Sequence, residues 1–268
     1  MKAVGEIAIN AFRESVRDKV LYNLVLFAVL MMGASYFIGQ LTAGQDVKII
    51  KDLGLAATSI FGLFIAVFIG IGLVSKEVER RSIYSLLSKP IHRHHLILGK
   101  YLGLSLTLLV NVAIMTVALY AVLFYMQWGV DSTVQRAWDA PALDPRLLQA
   151  IVLIFVELML VTGIALFFST FSTPLLSAAL TFGLVIVGHF SSDLRNLQDV
   201  VESSSAQWIA RAVYWLLPNL AQFDVKAQVV HGQTVPGPYV AMAMGYAGMY
   251  VAMLLLIAGF VFSRRDFK

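Results

Sequence analysis

The chain has 268 residues, of which 59% are hydrophobic and 13% are charged, and its mean hydropathy is +0.79. Soluble domains carry about 25% charged residues, so this composition excludes an ordinary soluble fold and indicates a polytopic membrane protein. The net charge of +4 is modest, and we expect no nucleic-acid partner. The absence of cysteine excludes disulfides and thiolate metal sites.

Residues 1–19 precede the first apolar run and are predicted to form a cytoplasmic interfacial helix. Apolar residues recur along one side of 5–18, which we expect to lie toward lipid: Ile7, Ala11, Phe12 and Val16. The opposite side is charged and is expected to face water: Glu14, Arg17 and Asp18. In this prediction the segment lies along the membrane surface and does not cross it.

Six apolar runs reach or approach the roughly 20 residues that a membrane-spanning helix needs. They are 20–39, 53–74, 102–126, 148–171, 174–191 and 239–262, and the fifth is the shortest. Residues 192–238 are predicted to form an extracytoplasmic segment before the last run. No run alternates apolar and polar residues as barrel strands do. The sequence therefore predicts an all-α polytopic membrane protein, a single domain over 1–268 with six transmembrane helices.

The distribution of Lys and Arg predicts which side of the membrane each loop occupies. Thirteen of the 20 Lys and Arg residues lie in the N-terminal segment, in the loop between the second and third runs, and after the last run. Short cytoplasmic loops carry such an excess of positive charge. Both termini and the loop at 75–100 are therefore predicted to be cytoplasmic.

The loop at 75–100 contains a predicted helix over 76–89. Glu77 and Arg81 are four residues apart with the acid first, which favours a helix, and Pro90 ends it. One face of this helix is apolar and consists of Ile83, Leu86 and Leu87, with Tyr84 beside them. Such a face can rest on lipid headgroups or dock into a groove of a cytoplasmic partner, and periodicity alone does not separate these interpretations.

The string EVERRSIYSLLSKPIHRHHLILGKYLG, beginning at residue 77, resembles the first cytoplasmic loop of ABC exporter permeases of the second type. It is most similar to the subgroup that serves maturation of multicopper enzymes, including nitrous oxide reductase. The N-terminal FRESVRDKVLYN, the stretches LPNLAQFDV and HGQTV before the last run, and the C-terminal FSRRDF resemble the same family. The resemblance therefore extends over nearly the whole chain.

The resemblance implies that 76–89 is a coupling helix, through which a separate cytoplasmic ATPase drives the membrane helices. The residues that would contact the ATPase are Glu77, Glu79, Arg81, Ile83, Tyr84, Leu86, Leu87 and Pro90. The chain itself has no Walker A motif, because Gly99-Lys100 is followed by Tyr101 and lacks the preceding glycine. We therefore expect no catalytic residue and no cofactor on this chain, with ATP and Mg²⁺ bound by the partner.

Glu157 lies near the middle of the fourth apolar run, where an ionisable group costs at least a few kcal/mol unless it is neutralised. It can line a translocation path or the seam between two copies, or it can be a neutral acid hydrogen-bonded to a facing side chain such as Asn111. His189 ends the fifth run and can be a polar tip at the headgroup level or contact cargo. No second intramembrane acid is apparent, which disfavours a proton relay.

Two other patterns invite a metal interpretation. His92, His94 and His95 cluster around Arg93, but without an acid, a cysteine or zinc-site spacing, so we interpret them as an interfacial basic patch. Methionines recur along one face of the last run: Met242, Met249 and Met253. Thioethers can pass Cu(I), but methionine also fills gaps in helix packing, and we predict no metal site.

The sequence and the resemblance together predict a multi-pass permease subunit of the bacterial cytoplasmic (inner) membrane. Its expected partners are two copies of an ABC ATPase, a second copy of the permease in a homodimer, the lipid bilayer and, as a further candidate, a periplasmic accessory protein. One alternative is a membrane subunit that transmits ATPase motion to an extracytoplasmic partner without moving cargo. The other is an ion-coupled secondary carrier, which the missing internal repeat disfavours.

Overall fold

The computed structural model describes residues 2–41, 46–79, 93–136, 138, 140–191 and 217–264, and within these ranges every regular element is a helix. The α-helices are α1 (Lys2–Val16), α2 (Lys19–Gln40), α3 (Asp46–Glu79), α4 (Arg93–Gly129), α5 (Ser132–Gln135), α6 (Leu147–Ser169), α7 (Pro174–His189), α8 (Lys226–Val230) and α9 (Gly237–Arg264). A 3₁₀ turn covers Ala221–Phe223. The expected all-α architecture is therefore confirmed for the described residues.

Five of these helices are long and apolar enough to cross a membrane, and they overlap five of the six predicted spans. They cover Lys19–Gln40, Asp46–Gly72, His95–Gly129, Leu147–Ser169 and Gly237–Phe262. The remaining predicted span corresponds to α7, which is apolar but has 16 residues. At 1.5 Å per residue α7 is about 24 Å long, less than the ~30 Å hydrocarbon thickness. Five spans are thus supported by length and composition.

Helix α6 is the centre of the bundle. It packs against α3, α4, α7 and α9, and a larger share of it is buried inside the protein than of any other of the five long apolar helices. Small residues let neighbouring helices approach it closely, since a Cβ atom on Gly70 of α3 would lie 2.9 Å from the Cβ of Ala165. Predicted spans with apolar residues on every face are expected to lie inside such a bundle, as α6 does.

Helix α1 packs along the first turns of α4 and ends before Asp18, whose carboxylate accepts a hydrogen bond from the Val20 amide and caps α2. Ala11 is buried, and a Cβ atom on Gly99 would lie 2.7 Å from the Cβ of Ile7. The expectation that Ile7 and Ala11 lie toward lipid is therefore wrong. Glycines at 99 and 103 open a groove on α4, and the apolar face of α1 fills it.

The alternating direction of the helices gives the bundle two ends. We call the end with the start of α3, residues 130–146 and residues 217–236 the outer end, because the charge distribution predicts it to be extracytoplasmic. The inner end holds the start of α4 and the turn at 170–173. The described part of 192–238 packs into the outer end and is not a surface loop, because its apolar residues are buried: Leu220, Phe223, Val225, Val229 and Val230.

Candidate functional site

The two ionisable residues predicted inside the apolar helices lie side by side. Glu157 of α6 is 5% exposed, and its Oε1 lies 3.2 Å from Nε2 of His189 at the end of α7. The imidazole is half-buried, with 34% of its side-chain surface exposed. A carboxyl group in apolar surroundings needs a neutralising partner, and the neighbouring helix supplies one.

The imidazole is held in place from its other side. His189 Nδ1 lies 3.1 Å from the backbone carbonyl oxygen of Val185, one turn earlier in α7. This contact orients the ring, so that Nε2 points away from its own helix and toward α6. The pairing therefore depends on the position of α7 relative to α6 and not on a freely rotating side chain.

In the part of the chain that the structure describes, Asn111 does not contribute to the contact between Glu157 and His189. It is buried in α4, and its Nδ2 donates a hydrogen bond to the Thr107 carbonyl oxygen at 2.6 Å. The alternative in which Asn111 satisfies the Glu157 carboxyl is therefore wrong. The structure brings together two of the three residues singled out for a path or seam, and it places the third within its own helix.

Helix α7 is attached to the rest of the bundle at a few points along its length. At the inner end the hydroxyl groups of Ser172 and Ser177 lie 2.6 Å apart, and Pro174 opens the helix. In the middle Phe182 contacts Phe64 of α3, with ring centroids 5.6 Å apart. Among the described residues, the contact between His189 and Glu157 is the one polar side-chain contact between α7 and another helix.

The last turn of α7 also contacts the segment that closes the outer end. The Leu220 amide donates a hydrogen bond to the Gly188 carbonyl oxygen at 3.0 Å. A Cβ atom on Gly188 would lie 2.8 Å from the Pro218 carbonyl oxygen, so the approach requires a glycine. Nearby, the Asn219 amide donates to the Tyr246 hydroxyl of α9 at 3.0 Å. Residues 217–220 thus lie between the end of α7 and α9.

A second polar cluster, at the outer end, was missed by the sequence analysis. Lys51 of α3 is 1% exposed and its Nζ donates to the Pro141 carbonyl oxygen at 2.8 Å. The buried Asp144 accepts from the Arg146 amide at 2.9 Å, and its backbone carbonyl accepts from the Tyr120 hydroxyl at 3.0 Å. Lys51 was not among the predicted site residues, and only the two isoleucines before it in the sequence hinted at burial.

Arg146 extends this cluster to the segment before α9. Its Nη1 donates a hydrogen bond to the Gly232 carbonyl oxygen and lies 3.9 Å from Asp144 Oδ2. Gly232 has a positive φ of 71°, a conformation that glycine adopts without strain. The cluster therefore ties α3, α4, the loop before α6 and the turn after α8 together at the outer end.

Most of the predicted ATPase-contacting residues fall in the segment 80–92, which lies outside the described residues. They are Arg81, Ile83, Tyr84, Leu86, Leu87 and Pro90. Glu77 and Glu79 belong to the last turn of α3, and α4 begins at Arg93. The two helices therefore extend to the borders of the segment that was predicted to contact a partner.

No group of three or more metal-ligating side chains of His, Cys, Asp or Glu occurs in the described part of the chain. Of the histidine cluster, His92 lies outside that part. The methionine stripe lies on the exposed side of α9, with Met242 and Met249 about as exposed as Leu256 of the same helix. Nothing in this arrangement joins the methionines to other soft ligands.

Comparison with known proteins identifies the family to which these features belong. The sequence model of the family described as "ABC-2 family transporter protein" matches residues 6–267, which is nearly the whole chain. A comparison with curated proteins gave no match. The matched region includes most of α1, all five long apolar helices, α7 and the pair Glu157–His189. The chain therefore belongs to the ABC-2 family of transporter proteins and is a multi-pass membrane permease.

Proposed function

We propose that this chain is the translocation subunit of an ATP-driven transporter and takes its energy from a separate cytoplasmic ATPase. The observation that carries the proposal is the family match over residues 6–267 on a chain without a Walker A motif. Since the chain lacks the phosphate-binding loop, ATP and Mg²⁺ would bind to the partner. In this proposal the chain provides the translocation path and the loop on which the ATPase acts, and it carries out no chemistry on a substrate.

The proposal includes α7 as a sixth span. With α7 crossing the membrane, the number of crossings is even and both termini lie on the cytoplasmic side, as the positive charges predict. A helix of 16 residues can do this where its outer end is covered by protein, and residues 217–220 cover the last turn of α7. Pro174 and the turn at 170–173 would face the cytoplasm.

The ATPase would act on the first cytoplasmic loop. Helices α3 and α4 flank the loop, and α6, at the centre of the bundle, packs against both. A displacement of the loop would therefore reach the central helix directly through two of its neighbours. The apolar face predicted for 76–89, formed by Ile83, Leu86 and Leu87, supplies the complementary surface for the ATPase.

The assembly would contain two copies of the ATPase and two copies of this chain, in the cytoplasmic membrane of a bacterium. A closed two-fold pair is the commonest oligomer, and one chain shows no internal repeat that would replace the second copy. A role in the maturation of a multicopper enzyme is a proposal that comes from the resemblance of the loop alone.

A gentle-detergent purification from the native membrane tests the proposal, with every co-purifying chain identified by mass spectrometry. We expect a Walker-motif ATPase to accompany the wild type and to be lost from the double variant Leu86→Asp/Leu87→Asp. The matched control, Ser132→Asp/Thr133→Asp, adds the same charge to exposed positions at the outer end and should retain the ATPase. If the intact wild type carries no ATPase, the proposal is wrong and an ion-coupled carrier becomes the better hypothesis.

A further inference from the structure

We propose that Glu157 and His189 form a proton-binding site between α6 and α7, and that the bound proton holds the end of α7 against the bundle. The site is defined by the 3.2 Å contact between Glu157 Oε1 and His189 Nε2. The proposal does not depend on the identity of the energy source, because it concerns a contact within the chain itself. Its ligand is a proton taken from the water at the outer end.

The first step of the argument concerns which nitrogen of His189 carries a proton. The Val185 carbonyl oxygen can only accept a hydrogen bond, so its 3.1 Å contact with Nδ1 requires a proton on Nδ1. In the neutral imidazole Nε2 is then a hydrogen-bond acceptor. A neutral His189 facing an ionised Glu157 would set two acceptors against each other.

The second step counts the protons in the contact. An attractive contact between Nε2 and Oε1 requires one proton between them, carried either by the imidazolium or by the carboxylic acid. Both forms of the pair have zero net charge, which suits a carboxyl group that is 5% exposed. The pair therefore binds one proton as a unit, whichever atom carries it.

The third step considers loss or gain of a proton. Losing the shared proton leaves an uncompensated carboxylate opposite the lone pair of Nε2, which breaks the contact and is costly in apolar surroundings. Gaining a second proton leaves an imidazolium opposite a neutral acid and puts a net positive charge at the pair. The end of α7 is therefore held most firmly when one proton is bound.

Few other charged groups face the pair. Helices α6 and α7 contain no further titratable residue, and α3 meets α7 through the aromatic rings of Phe64 and Phe68. The segment after 217 contributes Lys226, whose positive charge acts on His189 and which lies 3.6 Å from Asp224. Helix α4 contributes Tyr101, whose hydroxyl donates to the Met159 carbonyl oxygen at 3.2 Å, and α9 contributes the Tyr246 hydroxyl. The charged residues of α3 in the described part lie in its first two turns at the outer end and in its last turn at the inner end.

The position of the pair lets protonation act on the closure of the outer end. The carbonyl oxygen of Gly188, next to His189, accepts the hydrogen bond from the Leu220 amide. The last turn of α7 is therefore also the surface on which residues 217–220 pack. Beside it lie Ser191 Oγ and Asn219 Oδ1, two buried polar atoms without a hydrogen-bond partner among the residues that the structure describes. If Glu157 and His189 separate, the last turn of α7 moves away from the bundle, and residues 217–220 lose their contacts with it.

Thermal unfolding of the full chain in lipid nanodiscs, measured from about pH 5 to about pH 9, tests the proposal. We expect the Tm of the wild type to fall at the alkaline end by about 3 °C or more. Glu157→Gln should abolish this dependence, because the amide donates to neutral His189 and accepts from the imidazolium. His231→Gln, which removes an exposed histidine at the outer end, should retain the wild-type profile.

Infrared spectroscopy of the same samples gives a readout that does not rely on the variant's stability. Titration of the wild type should change a carboxylic-acid or carboxylate band that is absent from Glu157→Gln and altered in His189→Gln. A Tm profile that Glu157→Gln shares with the wild type overturns the proposal, as does a wild type without any such band. A Tm that follows Na⁺ or K⁺ concentration at fixed pH would identify a metal-cation site and also overturn it.

Discussion

A Cβ atom built on Gly103 of α4 would lie 2.5 Å from the carbonyl oxygen of Ala8 in α1, so the two helices touch backbone to backbone. The same face of α4 is close to Ile7 at Gly99, one turn earlier. Helix α4 begins where the predicted coupling loop ends, and α1 leads through Asp18 into α2. A movement of the start of α4 would therefore be passed to α1 by direct contact, and from α1 to the first spanning helix.

Gly103→Ala should detach α1 from α4. The added methyl group cannot be accommodated against backbone atoms, and overpacking of this kind costs about 1–3 kcal/mol. We expect a lower Tm in nanodiscs and faster tryptic cleavage after Arg13 and Arg17, which flank the end of α1.

The matched control is Gly129→Ala at the other end of the same helix, where an added Cβ atom meets nothing within 4 Å. It should melt and be cleaved like the wild type. Equal cleavage rates for Gly103→Ala and Gly129→Ala would show that the contact between α1 and α4 does not hold the N-terminal helix in place.

Lys51→Met should weaken the outer end. The substitution keeps the length of the side chain but leaves the Pro141 carbonyl oxygen without the donor that lies 2.8 Å away, and it removes a positive charge that attracts Asp144. Losing a partly buried hydrogen bond costs about 0.5–1.5 kcal/mol, which lowers the Tm by roughly 2–4 °C per kcal/mol. Arg136→Met removes an exposed positive charge from the same end and should leave the Tm unchanged.

Gly188→Ala should displace residues 217–220 from the end of α7. Its Cβ atom would lie 2.8 Å from the Pro218 carbonyl oxygen and 2.9 Å from Leu220 Cγ. The chain has no cysteine, so a single Val229→Cys, at a position that is 0% exposed, reports the opening of this segment to a membrane-impermeant maleimide. We expect labelling to be about fivefold faster in the Gly188→Ala background. This factor corresponds to a decrease of about 1 kcal/mol in the free energy of opening of the segment.

Gly183→Ala is the control for this measurement, since it lies on the same helix and an added Cβ atom meets nothing within 4 Å. Labelling of Val229→Cys in the two backgrounds at the same rate would show that contact with α7 does not keep the 217–230 segment closed.

The long apolar helices were predictable from sequence because burial in lipid and in the bundle demands the same apolar composition. Their packing was not, because it depends on which face meets which neighbour. Gly99 and Gly103 were read only as part of a loop motif, although their spacing makes the groove that α1 fills. Lys51 was placed before the second span, because a lysine within an apolar helix is predictable only when its acceptor, here the Pro141 carbonyl oxygen, is known.

The pairing of Glu157 with His189 was likewise not predictable from the sequence, because it depends on which helices are neighbours. Each residue was recognised as costly in an apolar helix, and each was considered separately, since 31 intervening residues carry no signal of a contact in a sequence without internal repeats. What decides the pairing is the tight turn at 170–173, which sends α7 back along α6 and brings the end of one helix to the middle of the other.

The number of membrane crossings is tested by cysteine labelling, because the absence of native cysteine makes each introduced residue an unambiguous reporter. Three exposed positions define the sides of the membrane: Ser132, Thr173 and His231. If α7 crosses, an impermeant maleimide added to intact cells should label Ser132→Cys and His231→Cys. Thr173→Cys should be labelled only in inverted vesicles. Arg17→Cys, in the N-terminal segment, should behave like Thr173→Cys.

The alternative is that α7 is re-entrant, so that the chain returns to the side from which it entered the membrane. This alternative predicts the opposite labelling for His231→Cys. His231→Cys would then be labelled from the same side as Thr173→Cys. That result would conflict with the hydrogen bond from Arg146 to the Gly232 carbonyl oxygen, which ties residue 232 to the loop before α6. A full crossing satisfies this contact, since the loop before α6 and the turn before α9 then lie on one side of the membrane. We therefore expect Ser132→Cys and His231→Cys to be labelled together.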